Sequence, residues 1–286
     1  MKPPFRVNFF LPALLLMAGP GTAWAGVQFL PVGTLFTPLL ADPKETRFSA
    51  NMVYTRYPPR DARGASVSAG GEIGLLREVS EMSSDTQWQL GISGGAFGEF
   101  DLDSPSSDLV NVDYSIGFPF TFRQGRASVR FRPYHQSSHV GDEFLLRNLV
   151  QRVDFAYDSL ETLVSIEEAT VRIYAGGEYF IRRQPENLKR QLAHGGLEAR
   201  SPRPYSSGPL GNIWLVAAVD VKSWEEMKWS PAWSVKGGFE WAAQVRPGES
   251  RRSLSFLVIY YDGFTPYGQF YPERLDFWGF GMSLTL

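Results

Sequence analysis

The sequence predicts an all-β fold, a closed antiparallel transmembrane β-barrel of about 12 strands. Three observations predict it: repeated period-two alternation of apolar and polar residues, abundant aromatics and glycines, and an N-terminal export signal with no apolar helix after it. Aromatic residues make up 14% of the 286-residue chain and glycine contributes 28 positions, a pairing that suits strands joined by turns.

The elements follow in order from the N-terminus. Lys2 and Arg6 precede an apolar stretch from Val7 to about Ala18, and Ala23-Trp24-Ala25 puts small residues at the positions a signal peptidase requires before Gly26. Residues 1–25 therefore read as a signal peptide, because Pro12 and Gly19-Pro20-Gly21 leave the apolar run too short to anchor in a bilayer. Its removal leaves 26 basic against 30 acidic residues, a charge of −4, which excludes the basic footprint of a nucleic-acid binder. No cysteine is present, so disulfides, thiolate metal sites and cysteine nucleophiles are excluded. No later run of about 18 apolar residues occurs, so any membrane span is made of strands.

Residues 26–46, with Pro31, Pro38 and Pro43, form either a periplasmic lead-in or a plug in the lumen, and residues 47–286 form the barrel. The clearest strand runs from Val110 to Phe122, where seven alternate positions from Val110 through Tyr114 to Phe122 are apolar and Asn111, Asp113 and Ser115 lie between them. It exceeds the length of an ordinary sandwich strand and matches a tilted bilayer crossing. Trp233 to Val245 repeats the pattern, with Lys236 and Glu240 on the polar face. Weaker versions cover Phe48 to Tyr57, Val67 to Arg77, Trp88 to Phe97, Ala127 to Ser137, Leu149 to Ile166, Val171 to Ile181, Ile213 to Val221, Leu254 to Tyr261 and Phe277 to Leu286. Glu72, Arg130, Arg132, Arg172 and Glu178 fall on the polar faces of these segments, where they would line a lumen.

These are eleven strands, and barrels of this kind have an even number with both termini on one side. Counting forward from Phe48 and backward from Leu286 disagrees by one crossing, which places the missing strand between residues 183 and 232. The stretch Gln184 to Gly211, with His194, Pro202 and Pro204, reads meanwhile as a long outer loop.

The last segment alternates Trp278, Phe280, Met282 and Leu284 against Gly279, Gly281 and Ser283, and resembles the C-terminal strand that the bacterial outer-membrane assembly machinery recognises. The resemblance implies that machinery as a partner and the bacterial outer membrane as the location, with outer-membrane lipid and lipopolysaccharide as surroundings. Over its whole length, on Phe36-Thr37-Pro38-Leu39-Leu40-Ala41-Asp42-Pro43, on the stretch from His135 to Glu143 and on the alternation, the chain looks like an uncharacterised family of bacterial outer-membrane proteins known only as a domain of unknown function.

One polar constellation points to chemistry, Tyr134-His135-Gln136-Ser137-Ser138-His139-Val140-Gly141-Asp142-Glu143. Alternation sends Val129, Phe131, Pro133, His135 and Ser137 to the lipid side, and Arg130, Arg132, Tyr134 and Gln136 to the lumen. A serine facing lipid beside an imidazole has a base for its proton and lies near ester bonds. In this stretch the chain resembles the His-x-Ser motif of outer-membrane phospholipase A and of the lipid A deacylases. That resemblance implies Ser137 as nucleophile, His135 as base and Asn148 on the next strand as the group orienting the histidine. Asp142 and Glu143 offer hard oxygen ligands for Ca2+ in the adjoining loop.

Three readings stand side by side: a narrow pore or structural barrel with paired lumen charges, a membrane-facing lipid acyl-ester hydrolase, and a surface interaction protein acting through its outer loops. In the first and third, His135 to Glu143 is simply a polar loop base at the interface.

Overall fold

A sheet that is apolar on one face and charged on the other is stable in a bilayer when it closes around its charged face. The computed structural model, which describes residues 26–57, 60–78, 86–148, 150–243 and 252–285, closes in that way. The signal peptide expected at residues 1–25, the Pro247-Gly248 turn and the terminal Leu286 lie outside the described residues.

Along the chain the strands are β1 (Val27–Phe29), β2 (Phe48–Tyr57), β3 (Arg60–Glu78), β4 (Thr86–Asp101), β5 (Asp108–Gly117), β6 (Phe120–Gln124), β7 (Ala127–Val140) and β8 (Phe155–Glu168). They continue with β9 (Val171–Gln184), β10 (Gln191–Arg200), β11 (Ser206–Gly208), β12 (Gly211–Trp224), β13 (Pro231–Ala242), β14 (Ser253–Phe264) and β15 (Arg274–Thr285). One helix, α1 (Asp142–Asn148), follows β7, and among the described residues no helix is long and apolar enough to cross a membrane. Strands β5 and β6 are halves of one stave, since β4 and β7 pair with both. They part at Phe118-Pro119, where proline has no N–H for the ladder. The short β1 and β11 sit beside β3 and β12, which leaves 12 antiparallel staves, and β15 closes onto β2 from Asp276 opposite Arg56 to Leu284 opposite Phe48. Both termini of the barrel lie at one rim, called here the terminal rim; the other is the far rim.

The structure departs from the sequence expectations in two stretches. The expected loop from Gln184 to Gly211 contains β10, the missing stave, paired with β9 and β12. Its outward residues are Ala193, Gly195, Leu197 and Ala199, which are mostly too small to register as an apolar face. The strand expected from Leu149 begins instead at Phe155, and the residues before it include α1.

Alternation sorts the two faces as expected. Arg130 is 1% exposed in the lumen while its neighbour Phe131 is 41% exposed on the outer wall. Outward Tyr54, Tyr114, Tyr179, Trp233, Tyr260 and Trp278 lie in the half of the wall near the far rim, and Trp88, Phe120, Phe122 and Trp241 lie near the terminal rim. Two such bands fit the two interfaces of a bilayer.

The segment between β1 and β2 runs through the lumen. Leu39 and Ala41 are fully buried there, and Phe36 lies between the guanidinium groups of Arg130 and Arg172, 4.6 and 4.7 Å from its ring centre. Glu45 takes two hydrogen bonds from Arg130, Asp42 takes two from Lys222, Lys44 pairs with Asp113, and the Leu40 amide donates to Glu198. Burial works against ionisation of Asp42, but Lys222 and His194 outweigh it and hold the carboxyl well below the usual carboxylate range. At Gly196 a side chain would run into the ring of Tyr174, which crosses β10 to donate to Asp220 at 2.7 Å.

Arg130 also donates to Glu161 at 2.9 Å, so Arg130→Ala strands the buried Glu45 carboxylate and leaves Glu161 with Arg132 alone. The loss is expected to be about 3–5 kcal/mol. Urea unfolding of the refolded barrel, followed by tryptophan fluorescence, measures it; a midpoint equal to that of wild type would show that the lumen pairs carry no stability.

Candidate functional site

The wall near the far rim carries a polar row across three neighbouring staves. His135 on β7 is registered opposite Asp158 on β8, and Asp158 opposite Arg182 on β9. The His135 ring places Nδ1 2.7 Å from Asp158 Oδ1, and Arg182 Nε lies 2.5 Å from Asp158 Oδ2 as an ion pair without the alignment of a hydrogen bond. The side chains are 26%, 22% and 55% exposed for His135, Asp158 and Arg182, so the row faces outward rather than into the lumen.

Its placement depends on a β-bulge. Phe180 is buried in the lumen, so strict alternation would send Arg182 inward too. The register between β8 and β9 shifts between Asp158 and Ser159, so that Ser159 faces Phe180 while Asp158 faces Arg182 and Ile181 is skipped. The extra residue turns Arg182 to the outer wall, the re-aiming that bulges provide beside functional sites.

Ser137 lies on the same face as His135, two residues further along β7 and opposite Tyr114 on β5. Alternate side chains on one strand sit about 7 Å apart. Among the described residues no hydrogen bond joins Ser137 Oγ to the His135 ring, so a contact between them requires side-chain rotation. With Nδ1 turned to Asp158, Nε2 is the ring nitrogen left for a second partner. If the carboxylate accepts from a neutral ring, the proton sits on Nδ1 and Nε2 is a base.

The other expected site residues lie elsewhere. Asn148, expected on the adjoining strand, ends α1 and donates its side-chain amide to the Phe144 carbonyl at 3.0 Å. The side chain within hydrogen-bond distance of the His135 ring is that of Asp158. Asp142 and Glu143 occupy the exposed first turn of α1, where Glu143 accepts from Ser106 at 3.1 Å. In the last turn, Arg147 pairs with Asp108 at 3.0 Å.

A second polar cluster, which the sequence reading left unassigned, lies inside the lumen. Buried His194 on β10 places Nε2 2.7 Å from Asp220 and 4.0 Å from Asp42. Asp42, His194 and Asp220 form one group close enough to share a cation, and Glu161, Glu178 and His194 form another. In both, carboxylates already face fixed cations, Lys222 at Asp42 and Arg130 and Arg132 at Glu161. The arrangement serves to join the lumen segment to the wall.

The outward placement is directly testable, since the chain has no cysteine of its own. Ser137→Cys is expected to react with a membrane-partitioned maleimide in proteoliposomes, and Gln136→Cys, buried on the lumen side, to stay unlabelled. Equal labelling at the two positions would contradict the strand parity.

Comparison with known proteins fits this architecture. A family model described as "Protein of unknown function (DUF1207)" matches residues 15–286. No curated protein matches the chain. Among solved structures, the outer membrane phospholipase A from Escherichia coli is similar at 12% identity and a TM-score of 0.53, covering 88% of this chain and 94% of that one. An active-site mutant of the Escherichia coli phospholipase is similar at 13% identity with the same TM-score, over 88% and 93% of the two chains. The Salmonella typhi outer membrane phospholipase dimer with bound calcium is also similar, at 13% identity and a TM-score of 0.53, over 84% and 91%. The likeness is one of fold, that of an outer-membrane β-barrel.

Proposed function

Because the chain belongs to the DUF1207 family, whose description assigns no activity, we propose from its own geometry that it is a lipid acyl-ester hydrolase working on the outer wall of the barrel. One observation carries the reading: an outward-facing histidine held by a carboxylate at 2.7 Å, with a serine two residues away on the same face. Structural economy disfavours such a group there. At the level of the far rim a lipid-facing Arg or Lys costs up to about 1 kcal/mol and an acid less, a cost that rises with depth toward the bilayer midplane. The fold likeness to proteins described as phospholipases adds support without settling the activity.

In the proposed reaction Ser137 Oγ attacks the ester carbonyl carbon of a bound lipid while His135 Nε2 takes the hydroxyl proton. Asp158 holds the ring and stabilises the imidazolium. The tetrahedral adduct collapses, the bond to the glycerol or sugar oxygen breaks, and His135 returns the proton to that leaving oxygen. Water then attacks the acyl-serine with His135 as base, releasing a fatty acid and restoring Ser137. The only co-reactant is water.

The pore reading has less in its favour, because Phe36, Leu39, Ala41 and Asp42 lie buried across the lumen. The expected test result is fatty-acid release by refolded wild-type protein from phospholipid or lipopolysaccharide, assayed with and without calcium. Ser137→Ala should reduce it to background, and His135→Ala and Asp158→Ala should each lower kcat by about 10²–10⁴-fold with the barrel still folded by circular dichroism. Should wild type release no fatty acid from either lipid, or should Ser137→Ala remain as active as wild type, this reading is wrong.

A further inference from the structure

The polar row continues past Asp158 into an open groove on the outer wall, lined by His135, Asp158, Arg182, Arg183, Glu186 and Arg190 together with Ala156, Tyr157 and Ile181. Arg182 and Arg190 stand there with Asp158 and Glu186, whereas Arg183 is registered opposite the lumen-facing Tyr157. Arg183 is committed, its Nε donating to the Leu188 carbonyl. The other two keep donors in hand. Arg182 spends Nε on Asp158, and its two terminal nitrogens have no hydrogen bond among the described residues. Arg190 uses one terminal nitrogen to hold the Phe180 and Ile181 carbonyls, both at 3.0 Å, and lies 5.7 Å from the centre of the exposed Tyr179 ring.

Depth points the same way as these open donors. Arg182 stands two residues from the end of β9 at the far rim and Asp158 three residues from the start of β8, while Arg190 lies in the turn just before β10. Arginines at this level can keep their heads among lipid headgroups while their stems follow the apolar wall. The planar fork of donors on a guanidinium matches phosphate oxygens geometrically, which an ammonium does not. The bulge that turns Arg182 outward would have no purpose if the residue only lined the lumen.

We propose that Arg182 and Arg190 bind the phosphate of a lipid headgroup, so that the barrel selects phosphate-bearing lipids and presents their acyl esters to His135 and Ser137. Arg182 is two staves from His135, about 10 Å along the sheet. In a phospholipid the glycerol unit alone separates the phosphate from the ester carbonyls, and in lipid A the phosphate and the acyl esters share a sugar unit. A phosphate seated at the arginines therefore leaves an ester within reach of the histidine end of the same row. Arg182 thereby has two roles, since it also braces the Asp158 carboxylate that positions His135.

The consequence for catalysis rests on the hydrolase reading, but binding is measured without turnover. In the Ser137→Ala background, retention of phosphatidylglycerol in detergent micelles is compared with that of diacylglycerol carrying the same acyl chains. About a tenfold preference for the phosphate-bearing lipid is expected, the scale of one or two charge-assisted hydrogen bonds. Adding Arg182→Gln should remove most of it and adding Arg190→Gln the remainder. Arg182→Lys, which keeps the charge, should retain an intermediate preference and controls for folding defects. The same comparison between lipid A and its dephosphorylated form identifies which lipid class the site prefers. Absence of preference in the Ser137→Ala protein, persistence of it after both Gln substitutions, or equal competition by free glycerol 3-phosphate would overturn the lipid-phosphate site. A preference that holds while wild type hydrolyses nothing would separate this site from the hydrolase reading, leaving the first intact and the second refuted.

Discussion

Arg130 is the point on which the interior depends. It is a full positive charge almost wholly removed from solvent, and it is tolerable there only because Glu161 from the next stave and Glu45 from the lumen segment both meet it, with the Phe36 ring across its face. The lumen segment therefore is not simply stored inside the barrel: removing it would leave Arg130 facing Glu161 with half its compensation gone. The same dependence repeats at Lys222 with Asp42 and at Asp113 with Lys44. Each pair joins a residue of the segment to a different stave, so the segment ties β5, β7 and β12 together across a space that backbone hydrogen bonds do not span.

That interior explains which parts of the fold were readable from sequence. Where a stave presents large residues to lipid, as β5 does with Val112, Tyr114 and Ile116, period-two alternation announces it and gives its parity. The same parity placed His135 and Ser137 outside and Arg130 and Arg132 inside, as found. Stave β10 was invisible as a strand because its outer face is Ala193, Gly195, Leu197 and Ala199, although even-number closure had located its absence. For the lumen segment the sequence leaves both alternatives open, since its partners lie 69 to 180 residues away for Asp113, Arg130 and Lys222 and no local pattern encodes them.

Asp158 was missed for a related reason. Which residue stands across from His135 depends on the register between β7 and β8, and that register depends on how the intervening chain is spent. A strand starting at Leu149 pairs with β7 quite differently from one starting at Phe155 after a short helix. A better signal was present in the composition of the stave itself. In Phe155 to Ile166 the outward positions are Ala156, Asp158, Leu160, Thr162, Val164 and Ile166, and the acid is the one charged residue in that series.

The two polar systems are divided by one layer of backbone, and the division has a mechanical meaning. Tyr134 and Gln136 alternate with His135 and Ser137 on β7, so the residues flanking the outer row are themselves fixed inside, Tyr134 by a hydrogen bond to Glu178 and Arg132 by Glu161. A hydrogen-bonding row on an outer wall loses its geometry if the staves carrying it slide or twist. Here β7, β8 and β9 are pinned from within by charge pairs and by the aromatic contacts of Phe155, Tyr157 and Phe180. The crowded lumen, which weighs against a wide conduit, is what a wall needs if its outer surface must hold a histidine and a carboxylate at hydrogen-bond distance against lipid.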